Sequence, residues 1–263
     1  PAWWRLDPCA PWRLGPRDLP GRVWTASGCF GYGLDGHDIA ADDFPSPYAG
    51  VGMVVTKTVT PEPRAGNPQP RLCELETGAL NSIGLENVGL AAFLAGKLPE
   101  LAHRKVPFLV SLAGTQPADF GAMAAELAAA AAAVPGWHGV ELNLSCPNVA
   151  RGGVDFGSDP ATVAACVAQA RPHLPDRVLL AKLTPNVARI APLAAAARDG
   201  GADGVSAINS LVGLEVDLAS GRPVLPRRAG GYTGAGVLPV ALAKVDEIVR
   251  ELGIPVVGIG GVA

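Results

Sequence analysis

A chain of 263 residues, 49% of them hydrophobic and 17% charged, is long and apolar enough for one α/β domain with a large core, which excludes a disordered segment. The formal net charge is −3 and no Lys/Arg cluster persists beyond two or three residues, so nucleic-acid and membrane surfaces are excluded and small molecules are the expected partners. No uncharged apolar run of about 18 residues occurs, and the opening PAWWRLDPCAPWR lacks the charged-then-apolar pattern of a secretory signal, so a soluble, cytoplasmic protein is expected.

Residues 1–21, rich in Pro and Trp, read as an irregular lead, and residues 22–263 as one domain. Seven β-rich runs follow: VWTASG at 23–28, GMVVTKTV at 52–59, PFLVSLA at 107–113, GVELNLS at 139–145, VLLAKLT at 178–184, GVSAINS at 204–210 and PVVGIGG at 255–261. Helix-like stretches such as Asp119 to Val134 and Leu238 to Leu252 fill most of the gaps. Strands apolar on both faces and alternating with helices predict a parallel sheet, either doubly wound or closed as a (β/α)8 TIM barrel. Nearly every strand ends in a polar or glycine cluster, which favours the barrel, whose sites are assembled from the C-terminal ends of all strands. An eighth strand and helix, of order 30 residues, would be needed to close that ring. The chain is therefore expected to be cut short, with its first and seventh strands as edges.

Four groups of residues carry candidate chemistry. In ELNLSCPNVARGGVDFGSDP, 141–160, Asn143, Ser145, Cys146 and Asn148 crowd the end of the fourth strand. Cys146 is either a base or nucleophile, a role that a tunable thiol at such a position can fill, or a buried structural cysteine; the flanking carboxamides favour the first. Cys9, Cys29, Cys73 and Cys166 read as structural, and with no C-x-x-C or Cys/His metal spacing neither a disulfide scaffold nor a zinc site is expected. Lys57 and Lys182 stand in apolar strands and either pair with an anionic ligand or snorkel to solvent. The glycine series GGYTGAG (230–236) and GIGG (258–261) suit a phosphate or simply turns. NSIGLEN (81–87), with Asn209 and Ser210, suits a planar ligand rich in imide and carboxylate groups, while a turn-forming role for Asn81 stays open.

Collinear with these runs, ASGCFGYG, TKTVTPEPRAGNPQPR, NSIGLENVGL, ELNLSCPN, AKLTPN, AINS, GGYTGAG and GIGGV resemble the motifs of the dihydroorotate dehydrogenases from about Gly21 onward. NVARGGVDFGSDP is similar to the class 1B, NAD-linked catalytic subunits. The resemblance implies an FMN-binding barrel that oxidises (S)-dihydroorotate to orotate in pyrimidine (UMP) biosynthesis. Cys146 is then the general base at C5, and hydride passes from C6 to FMN. Substrate falls to Lys57, Asn81, Ser82, Ile83, Gly84, Leu85, Asn143, Asn148, Asn209 and Ser210. FMN falls to Ser27, Lys57, Thr58, Asn143, Lys182, Ile208, Gly234, Gly260 and Gly261. Electrons are implied to pass to a partner subunit carrying FAD and a 2Fe-2S cluster and then to NAD, within a heterotetramer built on a homodimer. No cysteine cluster or strand-linked GxGxxG in this sequence suits FAD or 2Fe-2S.

Three departures stand against the resemblance. Ser111 occupies a position where the family usually has an FMN-contacting asparagine, the lead does not match the family's opening strands, and the eighth strand with its Gly-Thr phosphate contact is not in the sequence. A related flavin barrel acting on uracil-type dihydropyrimidines, and a non-catalytic fragment, are the alternatives.

Overall fold

Each of the seven runs forms a short strand, and the seven lie in one sheet. The structure, a computed structural model, describes residues 7, 10–34, 50–104, 106–144, 147–148 and 154–262, and of 147, 148 and 154–156 the backbone alone. In chain order the first elements are β1 (Trp12–Leu14), β2 (Arg17–Leu19), β3 (Trp24–Thr25), β4 (Met53–Val55), β5 (Leu72–Leu75) and β6 (Gly78–Asn81). A continuous helical segment follows, made of α1 (Leu90–Ala92), a π-helical turn (Phe93–Lys97) and α2 (Leu98–Arg104). Next come β7 (Phe108–Leu112), α3 (Pro117–Ala131), β8 (Trp137–Asn143), β9 (Pro147–Asn148), β10 (Val154–Asp155), α4 (Pro160–Ala170), β11 (Val178–Lys182), α5 (Ala191–Asp199) and β12 (Gly204–Ala207). The last are β13 (Leu211–Leu214), β14 (Val216–Asp217), β15 (Arg222–Pro223), β16 (Ala229–Thr233), α6 (Leu238–Leu252) and β17 (Val256–Gly258).

Strands β3, β4, β7, β8, β11, β12 and β17 pair in that order, and every pair is parallel. A doubly wound sheet reverses its strand order at a switch point. This one keeps chain order throughout, with a helix after every strand from β4 to β12, and is a partial (β/α)8 barrel with β3 and β17 as its edges. The helices begin where the sequence supplies caps. Gln116 and Asp119 form a capping box at α3, Asp159 accepts from Thr162 N at α4, and prolines occupy the first turns of α3 to α6.

Register separates the two faces of the sheet. Phe108, Val110 and Leu112 of β7, Val140 and Leu142 of β8, and Leu179 and Ala181 of β11 pack outward against the helices. Leu109, Val178, Leu180, Met53 and Val55 point inward and meet Leu14 and Leu19 of the β1–β2 hairpin in a second apolar cluster. The lead expected to be irregular therefore carries a hairpin that plugs the floor of the barrel. Its turn holds Gly15 at φ 52°, where a Cβ would collide with the Asp203 carboxylate. That carboxylate also accepts from Leu179 N at 2.8 Å and pairs with Arg171 at 3.0 Å.

A second sheet was not expected. Strands β13, β16, β6 and β5 form an antiparallel layer, so the series 230–236 is mostly strand and not a turn, and Asn81 lies on β6 and not in a turn. The glycines of β16 are needed for close approach: a Cβ at Gly231 would strike Ser210 Oγ, and one at Gly230 would lie 2.5 Å from Asn81 O. Truncating the floor plug with Leu14→Ala, a side chain 1% exposed, is expected to cost about 2–5 kcal/mol of unfolding free energy. Urea denaturation checks it, and an unchanged midpoint would show that the hairpin does not stabilise the barrel.

Candidate active site

The inner face changes character toward the C-terminal ends of the strands. Above the apolar floor stand Ser111, Glu141, Lys182 and Ser206, all buried, and at the rim Ser27, Thr58, Asn143 and Asn209. Their hydrogen bonds run in one row. Ser27 Oγ donates to Thr56 O at 2.8 Å and lies 3.2 Å from Thr58 Oγ1. Thr58 Oγ1 is 2.9 Å from Ser111 Oγ and accepts from Asn143 Nδ2 at 3.1 Å. Asn143 Oδ1 accepts from Asn209 Nδ2 at 3.2 Å, and Asn209 Oδ1 accepts from Ser210 N at 2.9 Å.

The direction of every proton in this row follows from its ends. A hydroxyl has one proton and two lone pairs. The proton of Ser27 goes to the Thr56 carbonyl, so Ser27 accepts from Thr58; Thr58 then has no proton left for Ser111 and accepts from both Ser111 and Asn143. At the other end the Ser210 N–H fixes the amide of Asn209, which fixes that of Asn143. Thr58 is the hub, and a residue expected to contact a ligand proves also to orient its neighbours.

The second sheet joins the row at Ser210. Asn81 Nδ2 donates to Gly231 O at 3.0 Å, β16 packs on Ser210, and Asn186 holds both Ser210 O (3.2 Å) and Val212 N (3.0 Å). Residues 82–85 form a loop clamped by Asn67, whose Nδ2 donates to Ser82 O at 2.8 Å and whose N donates to Ile83 O at 2.9 Å. Gly84 at φ 77° fits only because it lacks a Cβ, which would lie 2.7 Å from the Asn67 side chain, and Leu85 is left-handed at φ 55°. Arg71 ties the same strap to Glu86. Asn67 and Arg71 were visible in GNPQPR, but nothing in the sequence told which loop they hold.

Lys182 is 5% exposed and Lys57 half-buried, and among the described residues neither ammonium has a hydrogen-bond or ion-pair partner. Ile208 is buried beyond β12 and donates its N–H to Ile259 O at 3.0 Å. Gly260 and Gly261, at φ 119° and 71°, pass directly over the first turn of α6, where a Cβ on Gly261 would lie 2.7 Å from Leu238 Cβ. That helix start has no side-chain cap. Gly234, at φ 112°, instead abuts Gly78 Cα at the end of the small sheet. Ser145 and Cys146 lie outside the described residues, and the side chain of Asn148 is not described. Among the other cysteines, Cys29 is exposed, and burial pushes the Cys166 thiol up to about 12, with Asp119 adding to the effect.

The family model for dihydroorotate dehydrogenase matches residues 14–263. The chain is 42% identical over 249 residues to the dihydroorotate dehydrogenase B (NAD(+)) catalytic subunit of Pelobacter propionicus, covering 95% of this chain and 78% of that protein. It is 41% identical over 260 residues to the subunit of the same name from Trichlorobacter lovleyi, covering 98% and 81%. To that from Bacillus pumilus it is 40% identical over 252 residues, covering 93% and 77%.

Removing the hub with Thr58→Val leaves Ser111 and Asn143 without their acceptor and is expected to cost about 1–3 kcal/mol in denaturation. Thr58→Ser keeps the hydroxyl and is expected to recover most of it; equal losses in both variants would refute the hub. Iodoacetamide at pH 8 is expected to modify Cys29 and spare Cys166, read by mass spectrometry of the native protein. Rapid labelling of Cys166 would mean that its packed surroundings open readily.

Proposed function

The chain belongs to the dihydroorotate dehydrogenase family, and from that premise we propose that it oxidises (S)-dihydroorotate to orotate with FMN, in pyrimidine biosynthesis. The observation that carries the reading is the convergence of Ser27, Thr58, Asn143, Lys182 and Asn209 at the C-terminal ends of five strands. The residues present fit FMN. Lys182 is a buried cation without an acceptor among the described residues, suited to the electron-rich pyrimidine edge of a flavin. Gly260 and Gly261 bring bare backbone with positive φ over the first turn of α6, a close approach suited to a phosphate. Ser27, Lys57, Thr58, Asn143, Ile208 and Gly234 complete the proposed FMN set.

When bound, FMN supplies the acceptor for the hydride leaving C6 of the substrate. Cys146, as thiolate, takes the C5 proton, and the C5–C6 double bond of orotate forms as proton and hydride depart. Lys57, residues Asn81 to Leu85, Asn143, Asn148, Asn209 and Ser210 orient the substrate. Asn143 and Asn209 suit this because the row beneath them fixes which end of each amide donates. Reoxidation falls to a partner subunit carrying FAD and a 2Fe-2S cluster, with NAD as final acceptor and a heterotetramer as the assembly. The relatives' name, catalytic subunit of an NAD(+) enzyme, supports that division of labour. Among the described residues no helix is long and apolar enough to cross a membrane.

The test is anaerobic mixing of the FMN-loaded protein with dihydroorotate, followed at the flavin absorbance. Bleaching is expected with dihydroorotate and not with dihydrouracil. Cys146→Ala is expected to keep its flavin and slow bleaching by about 10²–10⁴-fold, the contribution of a well-placed base. An unchanged rate would remove Cys146 from that role.

A further inference from the structure

Glu141 lies on the inner face of β8, fully buried, and neither of its carboxylate oxygens has a hydrogen-bond partner among the described residues. A carboxylate in such a place is costly unless an opposite charge compensates it. The strands flanking β8 present Leu109 and Ser111 from β7 and Val178, Leu180 and Lys182 from β11 to the same interior. Lys182 is the one cation in that group. It stands one strand over and two residues nearer the rim, opposite Asn143. Opposite it on β12, the buried Ser206 hydroxyl also lacks a hydrogen-bond partner among the described residues. No contact ion pair joins Glu141 and Lys182 among the described residues, so any attraction acts through the interior, where low polarizability lets charges reach farther than in water.

We propose that Glu141 is the counter-charge of Lys182, a positioning residue that offsets the buried ammonium and moderates the positive field at the ring site. The second half of this inference rests on the FMN reading; the first does not. In flavin-free protein, Glu141→Gln and Lys182→Met each remove one charge, and the double variant removes both. If the two charges compensate each other, the double variant melts at least about 3 °C above the temperature obtained by adding the single losses. Strict additivity overturns the proposal, whether or not the chain binds FMN. If E141Q alone does not fold, a double variant that does fold supports the pair, and one that does not overturns it.

With FMN bound, E141Q is expected to favour reduced flavin by roughly tenfold, about 30 mV for a two-electron couple. The same substitution on top of K182M is expected to shift the potential far less, because the cation through which Glu141 acts is gone. Glu141→Asp, which keeps the charge, is expected to hold the wild-type potential. An equal E141Q shift in both backgrounds overturns the role through Lys182. A wild-type chain that binds no FMN defeats the flavin reading and leaves the melting cycle to decide the pair.

Discussion

Thr58 Oγ1 has one proton and two lone pairs, and Ser27, Ser111 and Asn143 use all three. Because the hub is saturated, each neighbour is held in one orientation, and the order passes along the row to Asn209 and the Ser210 N–H. A side-chain amide free to turn by 180° exchanges donor for acceptor and cannot discriminate a ligand's edge. Here two backbone groups, the Thr56 carbonyl and the Ser210 N–H, remove that freedom. The fixed orientation of these amides therefore depends on strand ends arriving at the correct height, which the parallel register provides.

That register divides the barrel interior by height. Leu14, Leu19, Met53, Val55, Leu109, Val178 and Leu180 make a floor without a polar side chain, and stability resides there and in the larger cluster under the helices. Ser111, Glu141, Lys182 and Ser206 make a layer that lowers stability unless its charges compensate. Such a layer persists only on a well-packed base. The β1–β2 hairpin supplies part of that base, and the collision awaiting any Cβ at Gly15 shows how closely its turn is seated on Asp203.

The sequence made the seven strands legible because a parallel strand buried on both faces reads as an unbroken apolar run, as FLVSL and VLLAK do. It exaggerated their length. VWTASG pairs only at Trp24 and Thr25, since the polar residues after a barrel strand turn toward the site and leave the ladder. The small sheet was hidden because AGGYT carries little β propensity and its partner GALN is some 150 residues away, at Asn81 opposite Gly231. The candidate site residues Lys57, Asn143, Lys182 and Asn209 were legible by motif, whereas the hub role of Thr58, the clamp at Asn67 and the buried carboxylate of Glu141, without a hydrogen-bond partner among the described residues, are properties of contacts, which no local pattern encodes.

The small sheet and the barrel rim meet around Ser210. Ser210 donates its N–H to Asn209, accepts at its carbonyl from Asn186 Nδ2, and receives Gly231 against its side chain, while Gly231 O accepts from Asn81. Asn81 and Asn143, on different sheets, are thus joined through three residues in contact, Gly231, Ser210 and Asn209. Any side chain at position 231 would have to push Ser210 away, and with it the N–H that sets the Asn209 amide. Glycine there is a requirement of the rim's proton order as much as of the strand that contains it, which explains why a series suited to a phosphate turn is found inside a sheet.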